Sequence, residues 1–441
     1  MDTVALTAIT LAIVSYSLVS ARAQRSFITP PMAFVAFGIV IGSQGLGWVQ
    51  GEPESIAVHV LAELTLVVVL FTDASRINLR LLWREHNLPV RLLLIGLPLT
   101  IAAGTVAAMG CFPDFSIWHA ALLAAIVAPT DASLAHPVVG NRIVPVRIRQ
   151  TLSVESGLND GICVPLVLLF LCGARSTGHD ADPAYWFQFA AMQITLGPLT
   201  GVGVGYVGAR LLKTAISRKC TDNSFVDLAA LALAGVAFGV AELIGGNGFI
   251  AAFCGGLAMG HIAPGVCQKV HEFGEAEGQL LTLLVFLAVG ALMAPQVIEA
   301  ITLRTVVFAV LSLTAARMIP VAISLLGSGL QPKSVVFVGW FGPRGTASVV
   351  FALLVIQDSR VPLRHEIFIA VMTTVLFSVF AHGLTAVPFA RWYGGRIKPT
   401  EMTTHLPEHK QIEELPFCCR ISAESAADQK VSPTKHKASG R

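Results

Sequence analysis

Ala128-Pro129-Thr130-Asp131 interrupts a long apolar run at residues 115–136, and Phe341-Gly342-Pro343-Arg344-Gly345-Thr346 interrupts another at residues 334–356. Pro129 removes a helix donor and frees a carbonyl one turn back. The second stretch combines two flexible glycines, a missing N–H and a cation. Both runs are therefore expected to be helices broken at mid-membrane. Lipid tolerates such breaks only where the irregular backbone lines protein or a water-filled cavity, and their freed ends bind ions.

The rest of the chain supplies the membrane protein that these breaks require. Of 441 residues, 54% are hydrophobic and 13% charged, against about 25% charged in an ordinary soluble chain. Mean hydropathy is +0.71. A span needs about 20 apolar residues, and the chain offers thirteen runs: 4–21, 31–49, 55–72, 90–110, 115–136, 150–173, 185–209, 224–244, 246–262, 278–296, 303–327, 334–356 and 366–390. The expected fold is all-α, a polytopic membrane protein of about 13 transmembrane helices. The net charge of +3 is too small and dispersed for a nucleic-acid partner. No Cys/His cluster has metal-ligand spacing, so no cofactor is expected.

The broken runs are the fifth and the twelfth. They are seven positions apart in the order of spans, an odd number, so the later one crosses in the opposite direction. This is the pattern of two inverted six-helix repeats joined by a linking helix. Fifteen Lys and Arg residues lie in the odd loops and four in the even ones. The positive-inside rule then places the N-terminus outside and the C-terminal tail in the cytoplasm of a plasma (inner) membrane. The tail, 397–441, is polar and rich in Pro, so disorder is expected there; its Cys418 and Cys419 receive no role.

Away from the run ends, only Arg317 and Arg344 among the 30 basic residues fall inside runs. Intramembrane charge is costly and marks a pathway, a relay or a paired structural site. The acids of interest are Glu63, Asp131, Glu155 and Asp160. Asp73, Asp227 and Glu242 fall at run ends and read as interfacial, as do His136 and His382. In the sixth run, Val154-Glu155-Ser156-Gly157-Leu158-Asn159-Asp160-Gly161 stacks Ser156 over Asp160 on one helix face and Glu155 over Asn159 on the next. Gly157 and Gly161, at the small-xxx-small interval, let another backbone approach this polar wall. Arg317, beside Pro320, is suited to hold a freed helix end or a carboxylate.

With Gly-Phe-Ile-Ala-Ala-Phe at 248–253, these motifs resemble the bacterial NhaP-type branch of the monovalent cation:proton antiporters, a family that includes animal sodium/proton exchangers. The similarity runs in order from about residue 5 to 390. It implies a homodimer, with a scaffold at about 1–89 and 174–302 and a mobile core at about 90–173 and 303–390 within a 1–396 transmembrane domain. By the same resemblance Asp160 binds the cation or a proton, and Ser156 and the Thr130 carbonyl help coordinate the cation. Glu155 acts partly through Arg344, Asn159 holds the core together, and Asp131 compensates broken helix ends. Ala132 stands where many relatives carry Pro. Na+ is the expected cation, with Li+ and K+ as alternatives; it is a hard ion that Asp160, Ser156, Thr130 and water suit as oxygen ligands.

Relatives of the other major branch carry two adjacent aspartates where this chain has Asn159 and Asp160, and tend to move two protons per sodium ion. A single titrating carboxylate predicts electroneutral 1:1 exchange. Two other readings stay open: a cation-driven solute symporter, which needs a roomier pocket, and an intramembrane aspartyl hydrolase using Asp131 and Asp160.

Overall fold

The computed structural model describes residues 3–23, 28–52, 54–77, 87–141, 143–175, 183–397 and 407–409. Among them, thirteen helical units follow one another: α1 Thr3–Ala23, α2 Pro30–Ile41, α3 Ile56–Arg76 and α4 Asn87–Cys111, which contains a π turn at Leu92–Gly96. Then come α5, in two halves (α5a, Ile117–Ile126; α5b, Ala132–Val139), α6 Val146–Ala174, α7 Pro183–Ser217, α8 Asn223–Leu243 and α9 Gly248–Ile262. The unit α10 runs through Pro264–Ala288, a π turn at Val289–Met293 and Ala294–Ala300. It is followed by α11 Leu303–Ser324, which is interrupted at Thr314, by α12 in two halves (α12a, Pro332–Trp340; α12b, Thr346–Gln357), and by α13 Arg364–Arg396.

Eight of these units are long and apolar enough to cross a membrane by themselves; α2, α5a, α9 and α12b are shorter apolar helices. Every run identified in the sequence is occupied by a helical unit, and the fifth and twelfth are the ones whose halves are separated by a stretch of five residues, 127–131 and 341–345. The second is shorter than its apolar run. After Ile41 the chain turns through Gly42, Gly45 and Gly47, where hydrogen bonds such as Gly45 N–H to Gly42 O close successive turns.

Packing sorts the helices into two groups. In one, α7 lies on α9, α9 on α3 and α8, and α10 on α2 and α3. In the other, α5a packs on α4 and α6, α11 on α4 and α13, and α12b on α13. The groups meet where α6 touches α3 and α9 and where α12b touches α3. The polar face of α6 therefore lies near the seam. Gly161 meets the ring of Phe253 from α9, and Gly157 meets the side chain of Asp73 from α3. Thus side chains, rather than the backbone expected from the glycine spacing, come against these two positions.

The disorder expected for the tail does not hold at residues 407–409. Pro407–His409 forms a 3-10 turn packed on the start of α6. Cys418, Cys419 and the remaining tail beyond 409 lie outside the described residues.

Candidate functional site

The two broken helices touch at their breaks. The Asp131 N–H donates to the Pro343 carbonyl at 2.8 Å, a main-chain bond between the two irregular segments. A helix interrupted in lipid leaves unmatched N–H groups at one new end and unmatched carbonyls at the other. Here side chains from other elements take up both kinds.

Asp131 is the N-cap of α5b. Its Oδ1 accepts from the Ser133 N–H at 2.7 Å, the Leu134 N–H at 3.3 Å and the Ser133 hydroxyl. Its Oδ2 reaches across and accepts from the Thr346 N–H at 2.8 Å and the Thr346 hydroxyl at 3.1 Å. One carboxylate therefore starts two helices, α5b and α12b, and both helix dipoles favour its negative charge. Gly345 is required by this contact, because a Cβ there would collide with the Asp131 carboxylate.

Arg344 does the converse. Its Nη1 donates to the Ala128 carbonyl and, at 3.3 Å, to the Pro129 carbonyl, just beyond the end of α5a. Ser348 adds a hydroxyl on the Ile126 carbonyl at 2.7 Å. The Arg344 N–H donates in turn to Ser378 Oγ of α13 at 2.6 Å.

Glu155 does not bond to Arg344. Its Oε1 lies 2.6 Å from Nη1 of Arg317, and both side chains are almost completely buried. The expected Glu155–Arg344 contact is thus replaced by Glu155–Arg317, while Arg344 is occupied with carbonyls. Nη1 of Arg344 is taken by the two carbonyls that follow α5a, and its Nε and Nη2 have no hydrogen-bond partner. Arg317 is left for the acid and lies close enough to Gly342 that a Cβ there would crowd its Nε.

Three polar side chains of the break and α6 come together. Asn159 Nδ2 donates to Thr130 Oγ1 at 2.7 Å, and Thr130 Oγ1 shares a hydrogen with Ser156 Oγ at 3.0 Å. Asn159 thereby ties α6 to the α5 break. Asp160 is buried, yet its Oδ1 has no hydrogen-bond partner, and neither has Asn159 Oδ1. Asp131 and Asp73 lie within electrostatic range of Asp160. A buried oxygen without a donor is costly in a folded protein. Asp160 lies one helical turn beyond Ser156 on the same face of α6, and oxygen groups of this kind suit a small hard cation or a proton. Among the described residues, no group of three or more His, Cys, Asp or Glu side chains could hold a resident metal.

Two residues escaped the sequence reading. His382 is buried rather than interfacial: its Nε2 reaches the Trp340 carbonyl, the last of α12a, at 2.9 Å, and its Nδ1 lies 3.1 Å from Ser378 Oγ. The Nδ1 also lies 3.0 Å from the Ser378 carbonyl, and Ser378 Oγ in turn receives the Arg344 N–H. Asp73, read as interfacial, pairs with Arg76 at 3.6 Å and also lies against Gly157 on the site's own helix. It directly follows the third apolar run, 55–72, while the helix α3 continues to Arg76.

The far ends of α6 and α12b are tied as well. Arg175, which follows α6, bonds Asp358, which follows α12b, at 2.7 Å, and Arg360 adds a second bond at 2.9 Å. Burial alone would raise the Asp358 carboxyl, but the Arg360 and Arg175 hydrogen bonds outweigh it and hold the group down at about 2, below its usual 3.8.

Broken helices that cross over buried oxygen donors define a secondary-transporter architecture. The chain belongs to the sodium/hydrogen exchanger family, whose transmembrane model matches residues 9–392. It is 25% identical over 403 residues to the K(+)/H(+) antiporter NhaP of Alkalimonas amylolytica, covering 89% of this chain and 67% of that protein. It is 23% identical over 381 residues to the K(+)/H(+) antiporter NhaP2 of Shewanella oneidensis, covering 85% and 64%. The chain thus spans about two thirds of the length of these relatives. The structure of the sodium proton antiporter MjNhaP1 of Methanocaldococcus jannaschii at pH 8 matches with a TM-score of 0.70 at 20% identity, over 86% of this chain and 98% of that one. The fold is shared.

Proposed function

We propose that this protein is a secondary antiporter that exchanges a monovalent cation for a proton by alternating access, one for one. The observation that carries the reading is Asp160: a buried carboxylate with an unpartnered oxygen, on the stretch of α6 whose Ser156 and Asn159 bond Thr130 at the α5 break. Burial favours the protonated acid and a bound cation favours the carboxylate, so proton and metal ion compete for one group. That competition couples the fluxes. Asn159 cannot ionise, and Glu155 is held by Arg317, so a single titrating acid remains at the centre and no net charge crosses.

Asp160, Ser156 and Thr130 are the proposed cation ligands, with Glu155, Arg317, Asp131, Arg344 and Asn159 holding the frame. Na+ is the proposed cation, in keeping with the sodium proton antiporter that shares the fold; K+ is the alternative raised by the names of the two relatives. The proposal includes a mobile core of α4–α6 and α11–α13 moving against a scaffold that forms a homodimer in the plasma (inner) membrane. The N-terminus is outside and the tail cytoplasmic. The loop charges support this orientation.

The aspartyl-hydrolase reading loses its second acid, because both oxygens of Asp131 are taken by helix starts. A proton-flux assay with the purified chain in liposomes tests the proposal. Flux driven by Na+, and insensitive to a diffusion potential imposed with potassium and valinomycin, is the expected result. Flux that follows the potential would overturn the one-for-one stoichiometry, and absence of flux with every alkali cation would overturn the antiport.

A further inference from the structure

At the breaks, the half-helix ends are held by side chains of the membrane helices. The start of α12a is different. Its N-cap residue, Gln331, makes no side-chain cap, and Pro332 at the first position has no N–H. The cap comes instead from the tail. Glu408 Oε1 accepts from the Gln331 N–H at 2.7 Å and from the Ser334 hydroxyl at 2.8 Å. The Glu408 side chain is buried, and its Oε2 has no partner. Tyr393, near the end of α13, donates its hydroxyl to the same Ser334 oxygen at 2.9 Å, and its ring stacks on Phe337 of α12a. Arg147, at the start of α6, donates to the Pro407 carbonyl at 2.7 Å. The segment 407–409 therefore joins the first turn of the helix that carries Asp160, the first turn of the half-helix that leads to the Arg344 break, and the end of the helix that carries His382.

We propose that the face formed by Gln331, Ser334, Tyr393 and Arg147 is a receptor surface for the chain's own tail, and that Glu408 is a positioning residue for cation binding. A carboxylate at a helix N-terminus meets both its unmatched N–H groups and its positive dipole end. Such a cap is no internal part of the transmembrane domain, and about ten residues of chain separate it from the end of α13 at Arg396. It can engage and release without unfolding any span. When it releases, the start of α12a keeps Tyr393 on Ser334 and Phe337 but loses the carboxylate on its Gln331 N–H, and the crossing that frames Asp160 loses one of its fixed points.

The inference rests on the antiport reading for its transport readout, and a second readout is independent of it. The experiment compares wild type, Glu408→Ala, Glu408→Gln and a chain shortened after Pro399. Hydrogen exchange is measured at residues 331–334, and cation-driven proton flux is measured in liposomes over a range of cation concentrations. Loss of an N-cap of typical strength corresponds to roughly fivefold. Exchange at 331–334 should therefore rise about that much in Glu408→Ala and in the shortened chain. The half-saturating cation concentration should rise by about the same factor, with the maximal rate largely kept. Glu408→Gln, whose amide oxygen still accepts both hydrogens, should stay near wild type.

Unchanged exchange in both Glu408→Ala and the shortened chain would overturn the docking. Faster exchange with an unmoved half-saturating concentration would overturn the positioning role, since a merely structural strap would lower stability or maximal rate alone. A wild-type protein without flux would refute the antiport reading itself and leave the exchange result to decide the docking.

Discussion

In α5 the chain breaks after Ile126 and places an acid, Asp131, at the new helix start; in α12 it breaks after Trp340 and places a base, Arg344, between the halves. Neither break is self-sufficient. The acid of α5 caps α12b, and the base of α12 takes the carbonyls that follow α5a. The difference lies in what else each helix needs. The α5 ends are matched by α12 and by Arg149, which donates to the Val139 carbonyl at 3.4 Å. The α12a ends depend on α13 through His382 and on the tail through Glu408. The break in α12 is thus open to influence from outside the crossing, whereas that in α5 is locked by it. The two aspartates show the same division of labour: Asp131 has every oxygen engaged, and Asp160 keeps one without a partner.

The largest way to break this comparison is to unpair the buried ions. Arg317→Ala leaves Glu155 as a buried charge and should cost about 3 to 5 kcal/mol. In a thermal or denaturant melt, Glu155→Ala combined with Arg317→Ala should cost clearly less than the sum of the single changes. The same cycle between Glu155 and Arg344 should show the smaller coupling. A larger coupling to Arg344 would reverse the pairing found here.

Next in size is the shared cap. Asp131→Ala deprives two helix starts at once and should cost about 2 kcal/mol, near 1 for each. Hydrogen exchange should then rise in both α5b and α12b. Exchange that rises in α5b alone would show that the bridge to Thr346 does not form.

His382→Leu removes a donor from the Trp340 carbonyl, which still receives the Gly342 N–H at 2.9 Å. The cost should be smaller, about 1 kcal/mol, and His382→Gln should restore part of it. The smallest effect concerns the outer tie. Asp358 has its carboxyl held below the usual value, so the stability it contributes is present above pH 4 and is lost as the pH falls toward 2. Melts of Asp358→Asn should lack that part of the acid dependence; an unchanged acid limb would remove the tie from the account.

Much of the fold is legible in the sequence because its determinants are local. A run of apolar residues long enough to span, and a Pro or Gly-Pro-Arg-Gly within one, announce themselves without knowledge of neighbours. The shared stretch of Ser156, Asn159 and Asp160 on α6 is legible for a related reason, since the three fall within two turns. Thr130, by contrast, enters only through the family resemblance and meets Ser156 and Asn159 by its hydroxyl. The pairing of Glu155 was not legible, because two buried arginines lay on different runs and only the angle of the crossing decides which reaches the acid. His382 was misplaced because the apolar run ends at about 390 while the helix continues to Arg396, which puts this residue near the middle of a 33-residue helix. The docking of Glu408 had no signal in a polar, Pro-rich tail; its partner is an uncapped helix start far away in the chain.

The central claim is that one carboxylate, Asp160, is shared between proton and cation. The most direct test is cation binding to the purified protein across pH, with Asp160→Asn as the comparison. In the acid range, apparent affinity should fall about tenfold per pH unit, as simple competition for one group requires, and each cation bound should release one proton. Asp160→Asn should show neither cation-linked proton release nor cation-coupled flux in liposomes. Binding independent of pH, or coupled flux that persists in Asp160→Asn, would contradict the account and make Glu155 and Asp131 the acids to examine.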